Sequence, residues 1–242
     1  MGLSTARALA RRGCDLVLHY RSSEEEAREA ASALGAFGAL VRLERCDLED
    51  PDAAEAMAGR LAGELPRLDI LVHNASVYGP TPLNELSAGA MQKYFNVHAV
   101  SPALMTKALA PRLRSSVLPG GGAVVAMVDI HAIGRPRPGF LAYSMSKAAL
   151  HEMVRTLARD LAPSVRVNGV APGVVAWPDG PKDGSAEVLD QDEAMRAAYL
   201  KRVPLERSGT PEEAAEVVAW LAMDATYVTG QVIRVDGGRW LT

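Results

Sequence analysis

The sequence predicts a single doubly wound α/β domain, a parallel sheet covered by helices on both faces. Three observations lead there. Short apolar runs of strand length alternate along the whole chain with longer segments of helical period. The 242 residues suffice for one core that buries roughly 70–75% of the unfolded surface. No internal repeat, low-complexity stretch or long linker divides the chain. In such a sheet the ligand crevice is expected at the carboxyl ends of the strands.

The elements follow in order. "GLSTARALARRG" predicts a helix from Ser4 to about Arg12 that ends at Gly13, and "DLVLHY" (15–20) reads as a buried strand. "SEEEAREAASAL" is helical, "LVRLERCDL" (40–48) is a strand, and "DAAEAMAGRLAGEL" is a helix. "LDILVHN" (68–74) leads through the Pro/Gly loop "YGPTP" into a long helix from about Ser87 to Leu113. "GAVVAMVD" (122–129) precedes a loop and a helix from about Gly139 to Ala162. "VRVNGVAP" (165–172) opens a polar, Pro/Gly-rich stretch reaching about Asp190. Two helical segments, "DEAMRAAYLKR" and "PEEAAEVVAWLAM", and a last strand in "QVIRVDGG" close the chain.

Composition narrows the function classes. A net charge of −3 without any Lys/Arg block argues against a nucleic-acid partner. No apolar run approaches the roughly 18 residues of a membrane span, and no signal-peptide core is present, so no membrane partner is expected. Cys14 and Cys46 read as free thiols of a reducing, cytoplasmic compartment. The histidines at 19, 73, 98, 131 and 151 lack metal-ligand spacing, and no metal site is expected.

Chemistry concentrates in "YSMSK". Tyr143 and Lys147 are four residues apart, which places both on one helical face. A phenol titrates near 10, and an adjacent ammonium is expected to draw it toward the working range. Alone, the pair is no more than an amphipathic helix face. Other residues fall where such a pair would use them. Asp129 ends the preceding strand and reaches toward the phenol, or merely caps a turn. Asn96 sits inside the long helix in "YFNVHAV", where it either packs or bends the helix to hold a water. "HNAS" (73–76) and "APG" (171–173) follow strands with small residues that admit a cofactor. His131 either lines the substrate site or caps its own loop.

Together, Tyr143/Lys147, Asn96, "HNAS", "CDL", "VNGVAPG" and "VTGQVIRVDGG" resemble, in order and spacing, the short-chain dehydrogenase/reductase family. The resemblance spans Gly2 to Gly238 and implies a Rossmann fold and hydride transfer with a nicotinamide cofactor. It implies that Tyr143 is the general acid/base and that Lys147 tunes it and holds the nicotinamide ribose. Asn96 would support a water-linked relay, and Asp47 and Leu48 would contact adenine. Asn74 and Ala75 form the turn beside the cofactor, with Pro172 and Gly173 opposite. Two departures, Asp129 in place of the usual serine and "HNAS" in place of "NNAG", resemble the pteridine reductase and dihydromonapterin reductase branch. That branch implies a substrate site of Ser76, Tyr78, Asp129 and Tyr143, with Ser76 also touching cofactor. Trp177 is expected to cover the substrate as lid residues do in the family. Asp129 precedes Tyr143 by one residue more than the branch usually shows, so the loop between them is expected to bulge.

Cofactor choice follows from charge. The strand "DLVLHY" ends in Arg21, Ser22 and Ser23 with no carboxylate until Glu24, which suits the 2′-phosphate of NADPH. The alternative is that Arg21 is solvated and Ser22 caps the next helix. The resemblance also implies a homodimer or homotetramer through the helices at about 87–113 and 139–162. Gly2 matches the last glycine of the family's TGxxx[GR]xG turn. The expectation is therefore an N-terminally truncated domain, lacking the first strand and most of that turn, roughly 15 residues. The rival readings are a carbonyl reductase of 3-oxoacyl thioesters or small ketones, and a truncated member without catalysis. The chain as written is expected to bind cofactor weakly and to be poorly stable.

Overall fold

The computed structural model describes residues 1–175, 177 and 193–242. Helices α1 (Gly2–Ala10), α2 (Glu24–Gly35) and α3 (Pro51–Glu64) alternate with strands β1 (Leu16–Tyr20), β2 (Val41–Arg45) and β3 (Ile70–His73). Helices α4 (Ala88–Phe95) and α5 (Ser101–Arg114) precede β4 (Gly122–Met127), α6 (Leu141–Asp160) and β5 (Val165–Pro172). Then come α7 (Glu193–Leu200), α8 (Pro211–Met223) and β6 (Val232–Val235). Every expected strand and helix is present, the strands trimmed at their ends except for β5, which keeps its full 165–172 span. The 40–48 strand is cut to five residues, because Cys46 to Asp50 turn into α3 through bonds of Asp47 and Asp50 to following backbone N–H groups.

All strand pairs are parallel, in the orders β1-β2 and β3-β4-β5-β6. Strand β4 divides the core by its alternation. Val124 and Ala126 face α3, α5 and α6, whereas Ala123, Val125 and Met127 face α1 and α8. Among the described residues no strand pairs with the second edge of β1 or of β3. The two nevertheless belong to one layer, since Leu16, Ile70 and Val72 pack on one cluster and Val17 and Leu71 on the other. Their residues are mostly half-buried, whereas those of β4 and β5 are buried throughout.

The long helix is bent. Between α4 and α5, Asn96–Val100 forms one π-helical turn. Pro102 lacks the N–H that the His98 carbonyl would otherwise receive. Asn96 Nδ2 donates to the Glu49 carbonyl at 2.7 Å, and Ser101 Oγ donates to the Leu48 carbonyl at 2.8 Å. Both bonds pin the bulge to the loop after β2.

At the opposite end of the sheet, Arg166 of β5 is buried, with no carboxylate partner among the described residues. Its guanidinium donates to the carbonyls of Gly120, Leu221, Ala222 and Ala225 at 2.6–3.2 Å. Three of these close the C-terminal end of α8, where a cation is favoured.

Candidate active site

The carboxyl ends of the strands form one rim, and the chemistry-bearing residues gather there. Asp129, just past β4, caps the short turn Ile130–Ala132, its Oδ1 accepting from the His131 N–H at 2.7 Å. Its Oδ2 accepts the Tyr143 hydroxyl at 2.7 Å. The longer loop between them is absorbed by that turn and by Gly139, whose φ of +75° suits glycine. Thr81 fixes the start of α6: its N–H donates to the Gly139 carbonyl at 2.6 Å and its Oγ1 accepts from Ala142 N–H at 3.0 Å.

Tyr143 and Lys147 lie one turn apart on α6, both buried. Lys147 Nζ donates to the Met127 carbonyl at 2.7 Å. Burial lowers its pKa to about 8, against the raising effect of Asp129. The expected lowering of the Tyr143 phenol is not found. Burial first, then the charge and hydrogen bond of Asp129, hold it well above its ordinary value. The physical reason is direct: the hydroxyl bonds a carboxylate, while the ammonium is turned to the end of β4.

Asn96 lies at the predicted bend, but both ends of its side chain are engaged, Nδ2 with Glu49 O and Oδ1 with Gln92 Nε2 at 3.1 Å. In the loop after β3, the Asn74 Oδ1 is buried with no hydrogen-bond partner among the described residues. Ala75 follows, and Ser76 Oγ lies 2.9 Å from His98 Nε2. Tyr78 stacks on Phe140 with centroids 5.1 Å apart and meets Tyr143 edge-on at 5.0 Å. The Arg137 guanidinium lies over the Phe140 ring at 4.3 Å and near that of Tyr78 at 5.4 Å.

On the cofactor side, Asp47, Leu48, Pro172 and Gly173 occupy the ends of β2 and β5 as expected. Arg21 does not stand alone there: its Nη1 donates to Glu49 Oε1 at 3.1 Å, a carboxylate brought in by the fold and not by the local sequence. Helix α2 begins after Ser23, whose hydroxyl makes no capping bond, so neither the Ser22 cap nor a Ser23 cap forms. His131 braces its own loop, Nδ1–H donating to the Arg135 carbonyl at 2.9 Å. Trp177 rests on α7, edge-on to Tyr199 at 5.7 Å with Arg196 over its ring at 5.1 Å. The rest of the expected cover, 176 and 178–192, lies outside the described residues.

Several neighbours of the site carry no local sequence signal. Arg137 lies in the loop after Asp129, and Phe140 at the start of the helix expected from about Gly139. His98 is two residues beyond Asn96 and Ser146 one before Lys147, and only that proximity could have pointed to them.

The residues present fit a dinucleotide. The first N–H groups of α1 have no intrahelical acceptor and suit a pyrophosphate. Gly2 stands so close to Asn74 that a Cβ would lie 2.8 Å from Asn74 Nδ2, and the orphaned Asn74 Oδ1 beside it awaits a donor. Among the described residues no His/Cys/Asp/Glu group could hold a metal, and no helix is long and apolar enough to cross a membrane.

Fold and site define an α/β oxidoreductase, and comparison with known proteins gives its relatives. The family model described as enoyl-(acyl carrier protein) reductase matches residues 1–239. The chain is 36% identical over 242 residues to cis-4-hydroxycyclohexanecarboxylate dehydrogenase of Sinomonas cyclohexanicum, covering 98% of this chain and 91% of that protein. It is 34% identical over 246 residues to dehydrogenase/reductase SDR family member 4 of Pongo abelii, covering 98% and 83%. The crystal structure of acetoin dehydrogenase from Enterobacter cloacae superposes with a TM-score of 0.82 at 31% identity, covering 98% of this chain and 90% of that one. The chain belongs to the short-chain dehydrogenase/reductase family, whose members generally use NAD(P)H.

Proposed function

We propose that the chain is an NADPH-preferring reductase acting on a C=N or C=C bond of a planar pteridine-type ring, with Tyr143 as proton donor. The observation that carries this reading is the Asp129–Tyr143 hydrogen bond of 2.7 Å beside the exposed Tyr78 ring. A carboxylate on the phenol keeps it protonated at neutral pH, which suits donation. Gly2, Arg21, Ser22, Ser23, Asp47, Leu48, Asn74, Ala75, Ser76, Lys147, Pro172 and Gly173 would hold the cofactor, which when bound supplies the hydride. Tyr143 Oη gives its proton to the atom that gains the electron pair. Asp129 orients that hydroxyl, and the buried phenolate left behind is strongly driven to regain a proton. Tyr78 offers a face for the ring, and Ser76 and Trp177 complete the substrate wall.

Two structural expectations belong to the same proposal. Among the described residues the unpaired edges of β1 and β3 would seat one further parallel strand. Val100, Leu141 and Met145 are exposed on the helices expected to pair copies of the chain, which supports a homodimer or homotetramer.

The second reading is a carbonyl or alcohol oxidoreductase, favoured by relatives named for an acetoin and a hydroxycyclohexane acid. The test follows NADPH absorbance at 340 nm with 7,8-dihydrobiopterin and, separately, with diacetyl and cyclohexanone. Turnover of the pterin is expected. Turnover of the ketones alone selects the second reading, and failure of NADPH to bind in a fluorescence titration selects a non-catalytic chain.

A further inference from the structure

We propose that His98 is a positioning residue: a neutral imidazole, fixed as the Nδ1–H tautomer, that ties the Ser76–Val77 loop to the helix carrying Tyr143. The residue is buried in the π-turn between α4 and α5, and its ring meets Tyr143 edge-on with centroids 5.6 Å apart.

The hydrogen bonds decide the tautomer. The Val77 backbone N–H can only donate, and it points to His98 Nε2 at 3.1 Å, so Nε2 carries a lone pair. The proton is therefore on Nδ1, which lies 2.8 Å from Ser146 Oγ. The Ser146 hydroxyl in turn donates a hydrogen bond to the Tyr143 carbonyl at 2.9 Å. On the other side, Ser76 Oγ lies 2.9 Å from Nε2. One ring thus joins the backbone of the loop expected to contact substrate and cofactor to the backbone of Tyr143 itself. An imidazolium would set an N–H against the Val77 N–H, and burial together with the Lys147 charge opposes it too. A phenylalanine of similar shape fills the space and makes neither bond. The π-turn gives the arrangement its reason, since it turns the imidazole between the loop and α6 at a point four residues before the Thr81–Gly139 backbone bond joins them.

This inference rests on Tyr143 being the proton donor, so its test has an arm that needs no substrate. Long-range proton–nitrogen NMR on the full chain labelled at histidine reads the tautomer. A protonated Nδ1 and bare Nε2, unchanged from pH 8 to pH 6, is expected; an Nε2–H tautomer or an imidazolium at pH 6 overturns the proposal. The second arm compares H98F, H98N and H98Q with NADPH and whichever of 7,8-dihydrobiopterin or diacetyl is turned over. Loss of both bonds in H98F is expected to cut kcat/KM on the order of 100-fold. H98Q, whose Oε1 can take the Val77 N–H, returns to within roughly fivefold of the parent, and H98N, which reaches only Ser146, stays about tenfold down. An unchanged H98F, or an H98Q no better than H98F or H98N, overturns it. If H98F does not fold, the H98Q-against-H98N comparison and the NMR arm still decide. Absent turnover with the expected tautomer faults the reductase reading alone.

Discussion

At Lys147 and Tyr143 the same burial acts in opposite directions. It weakens the ammonium's hold on its proton and strengthens the phenol's. Raising the pH past about 8 therefore neutralises Lys147 while Tyr143 stays protonated. If the ammonium holds the ribose, kcat/KM for NADPH should fall above pH 8. Asp129 raises the Lys147 pKa, so D129N should move that alkaline limb lower still, as a pH–rate series from 6 to 10 would show. Tyr143→Phe removes the donated proton and is expected to lower kcat by roughly 10²–10⁴ while leaving NADPH affinity near its parent value, read by fluorescence titration. The proposed NADPH preference rests on Arg21. Its exposed ion pair with Glu49 is worth at most about 1 kcal/mol, little resistance to a phosphate. Arg21→Ala should raise KM for NADPH about tenfold and leave NADH unchanged, and equal effects on both would refute the 2′-phosphate role.

Arg166 and helix α8 show what one side chain does for an element. Replacing it with Met leaves the carbonyls of Gly120, Leu221, Ala222 and Ala225 without their donor in a buried place. Arg166→Met is expected to cost about 3 kcal/mol, seen as a lower urea midpoint with an unchanged slope. Nothing local in "VRVNGV" announces this: the alternating pattern reads as a strand, and an Arg within it looks like a solvent-facing residue. The same division holds for the site. The Tyr143–Lys147 spacing, Asp129 and the strand ends were legible because helical period and strand length are local. The Arg21–Glu49 pair was not, because its partners are 28 residues apart, nor was His98, whose partners lie 22 and 48 residues away. Helix bending at Asn96 was legible as an Asn in a helix, yet the partner that fixes it, the Glu49 carbonyl, comes from a loop on another element.

For the molecule as a whole, the buried histidines set its behaviour in acid. His73, at the end of β3, donates from Nε2–H to Thr106 Oγ1 at 2.8 Å, since that hydroxyl's own proton goes to the Pro102 carbonyl. Burial lowers its pKa to about 4, and His98 is depressed further by burial and by Lys147. Both are neutral in the folded chain, whereas in the unfolded chain they titrate near 6.5. Below pH 6.5 the unfolded chain therefore binds protons that the folded chain cannot, and stability falls as pH falls. For His73 the loss continues until about pH 4, where the folded form also protonates. Each of the two should remove about 2 kcal/mol by pH 5, a sizeable part of a typical 5–15 kcal/mol. Carboxylates with lowered pKa, among them Glu213 through Arg207 and Glu44 through Arg60 and Arg42, act in a separate window, because their contribution is lost only as pH drops below 4.5. Urea midpoints at pH 7.5, 6.5, 5.5 and 5.0 should thus decline steadily below 6.5. His73→Gln, which keeps a donor for Thr106 but cannot titrate, should remove part of that decline and leave the share of His98 and of His131 and His151, whose pKa values burial also lowers. A midpoint that stays flat from pH 7.5 to 5.0 would show that the two imidazoles are not held neutral, and with them the tautomer that links the Val77 loop to Tyr143 would fall.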